Sequence, residues 1–149
     1  MLLDQEQVLA DRVAITTTAI MPHVKDLGPF SGTPPNTFRD IGGGQWPPWL
    51  YILVTTAFAG GTSIVFEVLS DDNAALSTPT IHYSTAAIPL ASLVKGYELK
   101  TALPPSQYQQ YLGVRATVAG TMTGGAVIVA IVEDVDKIRQ YRGNSPSSA

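Results

Sequence analysis

Short apolar runs separated by clusters of Gly, Pro, Asn and Asp recur along this chain, and both their length and their spacing are those of β-strands. Ile20 to Leu27 reads as a first strand. Gly28-Pro29-Phe30-Ser31-Gly32-Thr33-Pro34-Pro35-Asn36 then opens a Pro/Gly-rich loop that spans 28–48. Trp49 to Thr56 is an almost unbroken series of β-formers, too continuous for a strand with one wet face, so it predicts a strand buried on both sides. Phe58-Ala59-Gly60-Gly61 turns the chain. Thr62 to Leu69 follows with Ile64, Phe66 and Val68 on one face and Ser63, Val65, Glu67 and Leu69 on the other, which makes the unit a β-hairpin or a tight corner between sheets.

Asp71-Asp72-Asn73 begins another loop, and Thr80 to Ala86 predicts a short strand. In Ile88 to Gly96, Pro89 suits the first position of a single helical turn and Gly96 its stop. Tyr97 to Leu103 alternates again until Pro104-Pro105 breaks it. Tyr111 to Ala119 directs Leu112, Val114, Ala116 and Val118 one way and Arg115 and Thr117 the other. Gly120 to Gly125 reads as a flexible turn, and Ala126 to Asp134 as the most hydrophobic strand. Residues 1–19 lack a clean period and are expected to form an extended N-terminal arm; 135–149 is expected to be a flexible C-terminal tail. The expectation is an all-β, single-domain, jelly-roll-like β-sandwich of about seven or eight strands over residues 20–134, with extended N- and C-terminal segments.

Composition supports this reading and removes several functions. Thr, Val and Ile make up about a quarter of the chain, with 13 Gly and 11 Pro between the strands. Only 14% of residues are charged, against roughly 25% in an average soluble protein, so Thr, Ser, Gly, Gln and Asn must cover much of the surface. With no cysteine, disulfides, thiol catalysis and zinc–thiolate sites are excluded. A net charge of −3 with nine scattered Lys and Arg offers no stripe for a phosphate backbone, so no nucleic-acid partner is expected. Met1-Leu2-Leu3-Asp4-Gln5-Glu6 has no basic region ahead of an apolar one and is not read as a signal peptide. The uncharged runs Ile41 to Phe66 and Asn73 to Leu93 are interrupted by Gly and Pro, so no membrane partner is expected either.

Candidate chemistry is sparse, and no catalytic residue, cofactor or metal is assigned. His23 and His82 could each serve a Ser-His-Asp triad, but no Gly-x-Ser-x-Gly elbow singles out a serine. His82, between Ile81 and Tyr83, is expected to be a hydrogen-bonded structural histidine. Asp71-Asp72-Asn73 lacks the spaced Asp-x-Asp-x-Asp-Gly pattern of a calcium loop and reads as a solvated turn. Gly42-Gly43-Gly44 lacks the Lys-Ser/Thr of a phosphate cradle. Most unusual is Trp46-Pro47-Pro48-Trp49, where two stiff prolines hold two indoles apart. Trp46, Trp49 and Phe30 are the candidate interface residues, since exposed aromatics anchor interfaces and stack on sugars; Trp49 also reads as the first core residue of its strand.

In order and spacing, a set of segments resembles the jelly-roll capsid cement, or decoration, proteins of tailed double-stranded DNA bacteriophages. They are Val24-Lys25-Asp26-Leu27-Gly28, Arg39-Asp40-Ile41-Gly42, Thr56 to Ser63 with Phe66-Glu67-Val68, Ala87 to Leu93, and Tyr111 to Thr121, spanning about residues 24 to 134. The Pro-rich stretch from Pro29 to Pro48 and the tail after Asp134 depart from the pattern. The resemblance implies a structural protein, not an enzyme, that is made in the host cytoplasm and carried on the outer capsid surface of the virion. It implies the major capsid protein as partner, and a homo-oligomer at local symmetry axes, a dimer favoured over a trimer. The alternative is a carbohydrate-binding β-sandwich module of a phage fibre or secreted protein, with Trp46, Trp49 and neighbouring Tyr as a stacking platform.

Overall fold

The structure is a computed structural model that describes residues 7–28, 45 and 47–132. The strands are β1 (Val8–Ala14), β2 (Ala19–Ile20), β3 (Lys25–Asp26), β4 (Trp49–Gly60), β5 (Ser63–Asp71), β6 (Thr80–Ser84), β7 (Ile88–Pro89), β8 (Glu98–Ala102), β9 (Tyr111–Ala119) and β10 (Met122–Val132). A four-stranded sheet runs β1-β10-β4-β8, and a second sheet runs β2-β9-β5-β6 with β3 on β9 and β7 on β5. All pairs are antiparallel. Taken with β2 and β3 as one broken strand, the pairs β1·β10, β3·β9, β4·β8 and β5·β6 nest inside one another, the folded ribbon of a jelly roll. Among the described residues there is no α-helix, and no helix is long and apolar enough to cross a membrane.

Alternation along the strands builds the core. Ile64, Phe66 and Val68 of β5 and Leu112, Val114 and Ala116 of β9 meet Leu50, Ile52 and Val54 of β4 and Val127 and Val129 of β10, all buried. Each large apolar side chain so enclosed stabilises the fold by about 1.5–3 kcal/mol. The chain passes from β4 to β5 through Gly60 and Gly61, both at positive φ, and because the two strands lie in different sheets the unit is an inter-sheet corner, not a hairpin.

Three expectations need correction. Residues 8–14 belong to the sandwich, not to an arm: β1 pairs with β10, and Leu9, Ala10 and Ile15 are core residues. Its irregular polarity reflects two register shifts, between Val8 and Ala10 and between Ala10 and Val13, which destroy the simple period of two. The expected first strand is instead two short pairings with β9, β2 and β3. Gly120 to Gly125 is no flexible turn: only Gly120-Thr121 lies outside a strand, and β10 starts at Met122. The helical turn is present, as a 3-10 turn at Leu90–Ser92 directly after Pro89. Nearly all of the 28–48 loop and the whole tail 135–149 lie outside the described residues.

Candidate functional site

Three polar clusters and one unusual apolar face are the places where this fold could act. The first cluster surrounds His82. Its Nε2 lies 2.5 Å from Ser70 Oγ, its Nδ1 lies 2.7 Å from Ser106 Oγ, and its ring packs on Tyr108 with centroids 4.3 Å apart. The Gln109 backbone N–H also donates to Ser70 Oγ at 2.9 Å. A serine–histidine pair at this distance has the outline of a nucleophile and base, but Ser70 is 0% exposed and the third member is a hydroxyl where a triad has a carboxylate. An enclosed hydroxyl cannot reach an external carbonyl. The arrangement is a clip that ties β5, β6 and the chain ahead of β9 together, and burial holds the imidazole below its ordinary pKa. His82 is thus the hydrogen-bonded structural histidine that its strand context suggests.

The second cluster is the Asp71 turn. Burial pushes the Asp71 carboxyl upward, but hydrogen bonds outweigh that effect and leave its pKa below the usual carboxylate range. The Thr78 amide donates to Oδ2 at 2.8 Å and the Asp72 amide to Oδ1 at 2.7 Å. Its neighbour Asp72 is shifted the other way by Asp71. Asp71 is therefore a turn cap, buried where a solvated turn was expected. No group of three or more His, Asp or Glu gathers in metal-binding distance among the described residues.

The third cluster lies on the outward face of the β9-β5 pair. Glu67 and Arg115 are direct cross-strand partners; Arg115 Nε donates to Glu67 Oε2 at 2.7 Å and Thr117 Oγ1 donates to the same oxygen at 2.9 Å. The Arg115 hydrogen bond is the main reason that Glu67 sits below its usual pKa. Ile81, half-exposed on β6, belongs to the same sheet.

The apolar face belongs to the other sheet. Tyr51, Leu53, Ile128, Ala130 and Val132 form a second buried cluster, with Val8 and Trp49 packed against it. The register places these side chains on the face of β4 and β10 that points away from the inter-sheet core. This is the strand buried on both sides that Trp49 to Thr56 predicted. Trp49 is half-buried in this outer cluster and is not part of the inter-sheet core, which corrects its reading as a first core residue. Tyr51 donates from its hydroxyl to Glu98 Oε1 at 3.1 Å, and Lys100 pairs with Glu98 at 3.4 Å beside it. Phe30 and Trp46 lie outside the described residues. The outer cluster was recoverable from the unbroken Trp49–Thr56 run but not from any single residue.

The segments that carry the sequence resemblance come together in space. Gly61 N donates to Thr121 O at 2.7 Å, Thr62 N to Ala119 O at 2.8 Å, Leu90 N to Thr62 O at 2.9 Å and Phe58 N to Leu93 O at 2.9 Å. Three stretches distant in sequence thus lock into one end of the sandwich by backbone hydrogen bonds.

Fold and clusters together define an antiparallel two-sheet β-sandwich in which Ser70, His82, Asp71, Glu67 and Arg115 are engaged in holding strands and turns. Its sequence matches the family model Bbp16 over residues 9–131, and the chain belongs to the Bbp16 family. A search of the curated proteins finds no match.

Proposed function

We propose that this protein is a capsid cement protein, which binds the outer surface of a shell of major capsid protein on a phage virion and strengthens the expanded shell. The observation that carries the reading is the convergence of the resemblance segments, Thr56 to Ser63, Ala87 to Leu93 and Tyr111 to Thr121, on one hydrogen-bonded corner. What those residues have in common is a structural unit, as suits a protein that acts by its shape. One further feature supports it. Polar groups that could have formed a reactive centre, Ser70, His82 and Asp71, are consumed in clips and caps. Many copies, each with a modest interface and acting as homo-oligomers, preferably dimers, would add up to a large effect on the shell.

The test is cosedimentation of the purified protein with emptied expanded shells and with precursor shells. Binding to expanded shells, together with a higher rupture temperature, is the expected result. Binding to neither form, or binding without any change in rupture, overturns the reading; retention on a glycan array would then favour a carbohydrate-binding module.

A further inference from the structure

Beside the apolar face, a groove of about 410 Å3 is lined by Arg12, Leu53, Val54, Thr55, Thr56, Lys95, Gly96 and Ala126. Its walls come from β1 and from the turn before β8, and each contributes one cation. Arg12 occupies an uncommon conformation, with φ at +50°, in the second register shift of β1, where Asp11 and Arg12 together stand opposite the single residue Ile128 of β10. A non-glycine residue in the left-handed region costs free energy that the surroundings must offset, and a bulge re-aims the side chain it carries. Among the described residues Arg12 is committed to nothing else: its contact with Asp11 is 4.0 Å long and both side chains are about 70% exposed, an ion pair of little strength. Lys95 is exposed and makes no ion pair among the described residues. No carboxylate is among the described residues that line the groove, although the chain as a whole carries a net charge of −3.

We propose that this groove binds a carboxylate-bearing segment of a protein partner, an acidic side chain with an apolar neighbour, seated between Arg12 and Lys95. The complementarity is of two kinds. Leu53 and Ala126 offer an apolar floor, and the exposed Thr56 hydroxyl can hydrogen-bond the segment. The two cations meet the charge from opposite sides, and a guanidinium can grip a carboxylate through two parallel N–H donors. The inference deepens the cement reading by naming the chemistry of one surface on the shell.

The experiment titrates the full chain with a fluorescent ten-residue peptide of alternating Glu and Leu, with its Gln-for-Glu counterpart as control. Arg12→Asn, which tolerates the left-handed backbone, and Lys95→Gln are compared with the unaltered protein after equal melting temperatures are verified. Binding of the Glu peptide alone is expected, weakened by salt and reduced roughly three- to tenfold by each substitution. Equal binding of both peptides, no binding, or indifference to both substitutions overturns the groove. Preference for a single-stranded oligonucleotide over the Glu peptide overturns it as well. The same variants are then sedimented with expanded shells. Undiminished shell binding removes the groove while leaving the cement reading intact, whereas failure of the unaltered protein to bind shells removes that reading and leaves the peptide titration to decide the groove.

Discussion

The ring of Phe58 rests against Gly125, so closely that a Cβ at position 125 would collide with it. Gly125 holds φ at +131° in the stretch where the pairing of β4 with β10 slips out of register. Both facts require glycine there, one through the backbone and one through packing. Gly125→Ala is expected to cost about 2–4 kcal/mol. Neighbouring Gly124, with open space around its Cα, should accept alanine at a cost below about 1 kcal/mol. Denaturant unfolding of the two variants measures the difference.

His82 makes stability depend on pH near neutrality. Burial lowers its pKa from the usual 6.5, so the folded protein binds fewer protons than the unfolded chain as pH falls past that value. The contribution is complete above about pH 6.5 and is lost as pH falls through the folded pKa. His82→Gln should flatten this part of the profile and, at pH 8, cost about 1–2 kcal/mol for the disturbed Ser70 and Ser106 hydrogen bonds. Thermal melts between pH 8 and pH 5 are the measurement.

Glu67 acts in a lower window. Its pKa is depressed from 4.5, chiefly by the Arg115 hydrogen bond, so its stabilisation is complete above the unfolded value and disappears as pH falls through the lower folded one. Glu67→Gln should remove that acid-side loss and cost about 1 kcal/mol at pH 7. Melting of the variant between pH 5 and pH 2.5, set beside the wild type, tests the sign.

The two faces of β4 should respond differently to truncation. Opposite β4 in the inter-sheet core, Phe66→Ala is expected to cost about 3–5 kcal/mol. Trp49→Ala, on the half-buried outer cluster, should cost about 1–3 kcal/mol, and Tyr51→Phe, which loses only the hydroxyl bonded to Glu98, about 0.5–1.5 kcal/mol. Equal losses for Phe66 and Trp49 in equilibrium unfolding would contradict this division of the strand.

Strands that keep a strict period were legible in the sequence. Tyr111 to Ala119 coincides with β9, and Ile64, Phe66 and Val68 are core residues as their alternation required. Elements whose period is broken were not. In β1, two register shifts put Asp11 and Arg12 between core residues, and the segment consequently resembled an arm. The choice between hairpin and corner at Gly60-Gly61 depended on whether β4 and β5 share a sheet, which is decided by β10 and β9, some sixty residues downstream. The clip around His82 was hidden for the same reason, since Ser70 and Ser106 lie 12 and 24 residues away along the chain. Arg12 and Lys95 carry no motif and meet across a groove only through the fold.

The nesting of strand pairs also dictates the order in which the protein can be completed. Val8 is partnered by Ala130, so β1 waits for β10, the last described strand, to be made. Among the described strands β5, β6 and β7 can pair early, and β8, β9 and β10 then close longer loops around them. A nascent chain that stops short of β10 leaves two gaps, because β10 lies between β1 and β4 and joins them into one sheet. Until then β1 and one edge of β4 have no partner strand, a state prone to association with other chains. Truncation within β10 should therefore yield aggregates in place of a smaller folded domain.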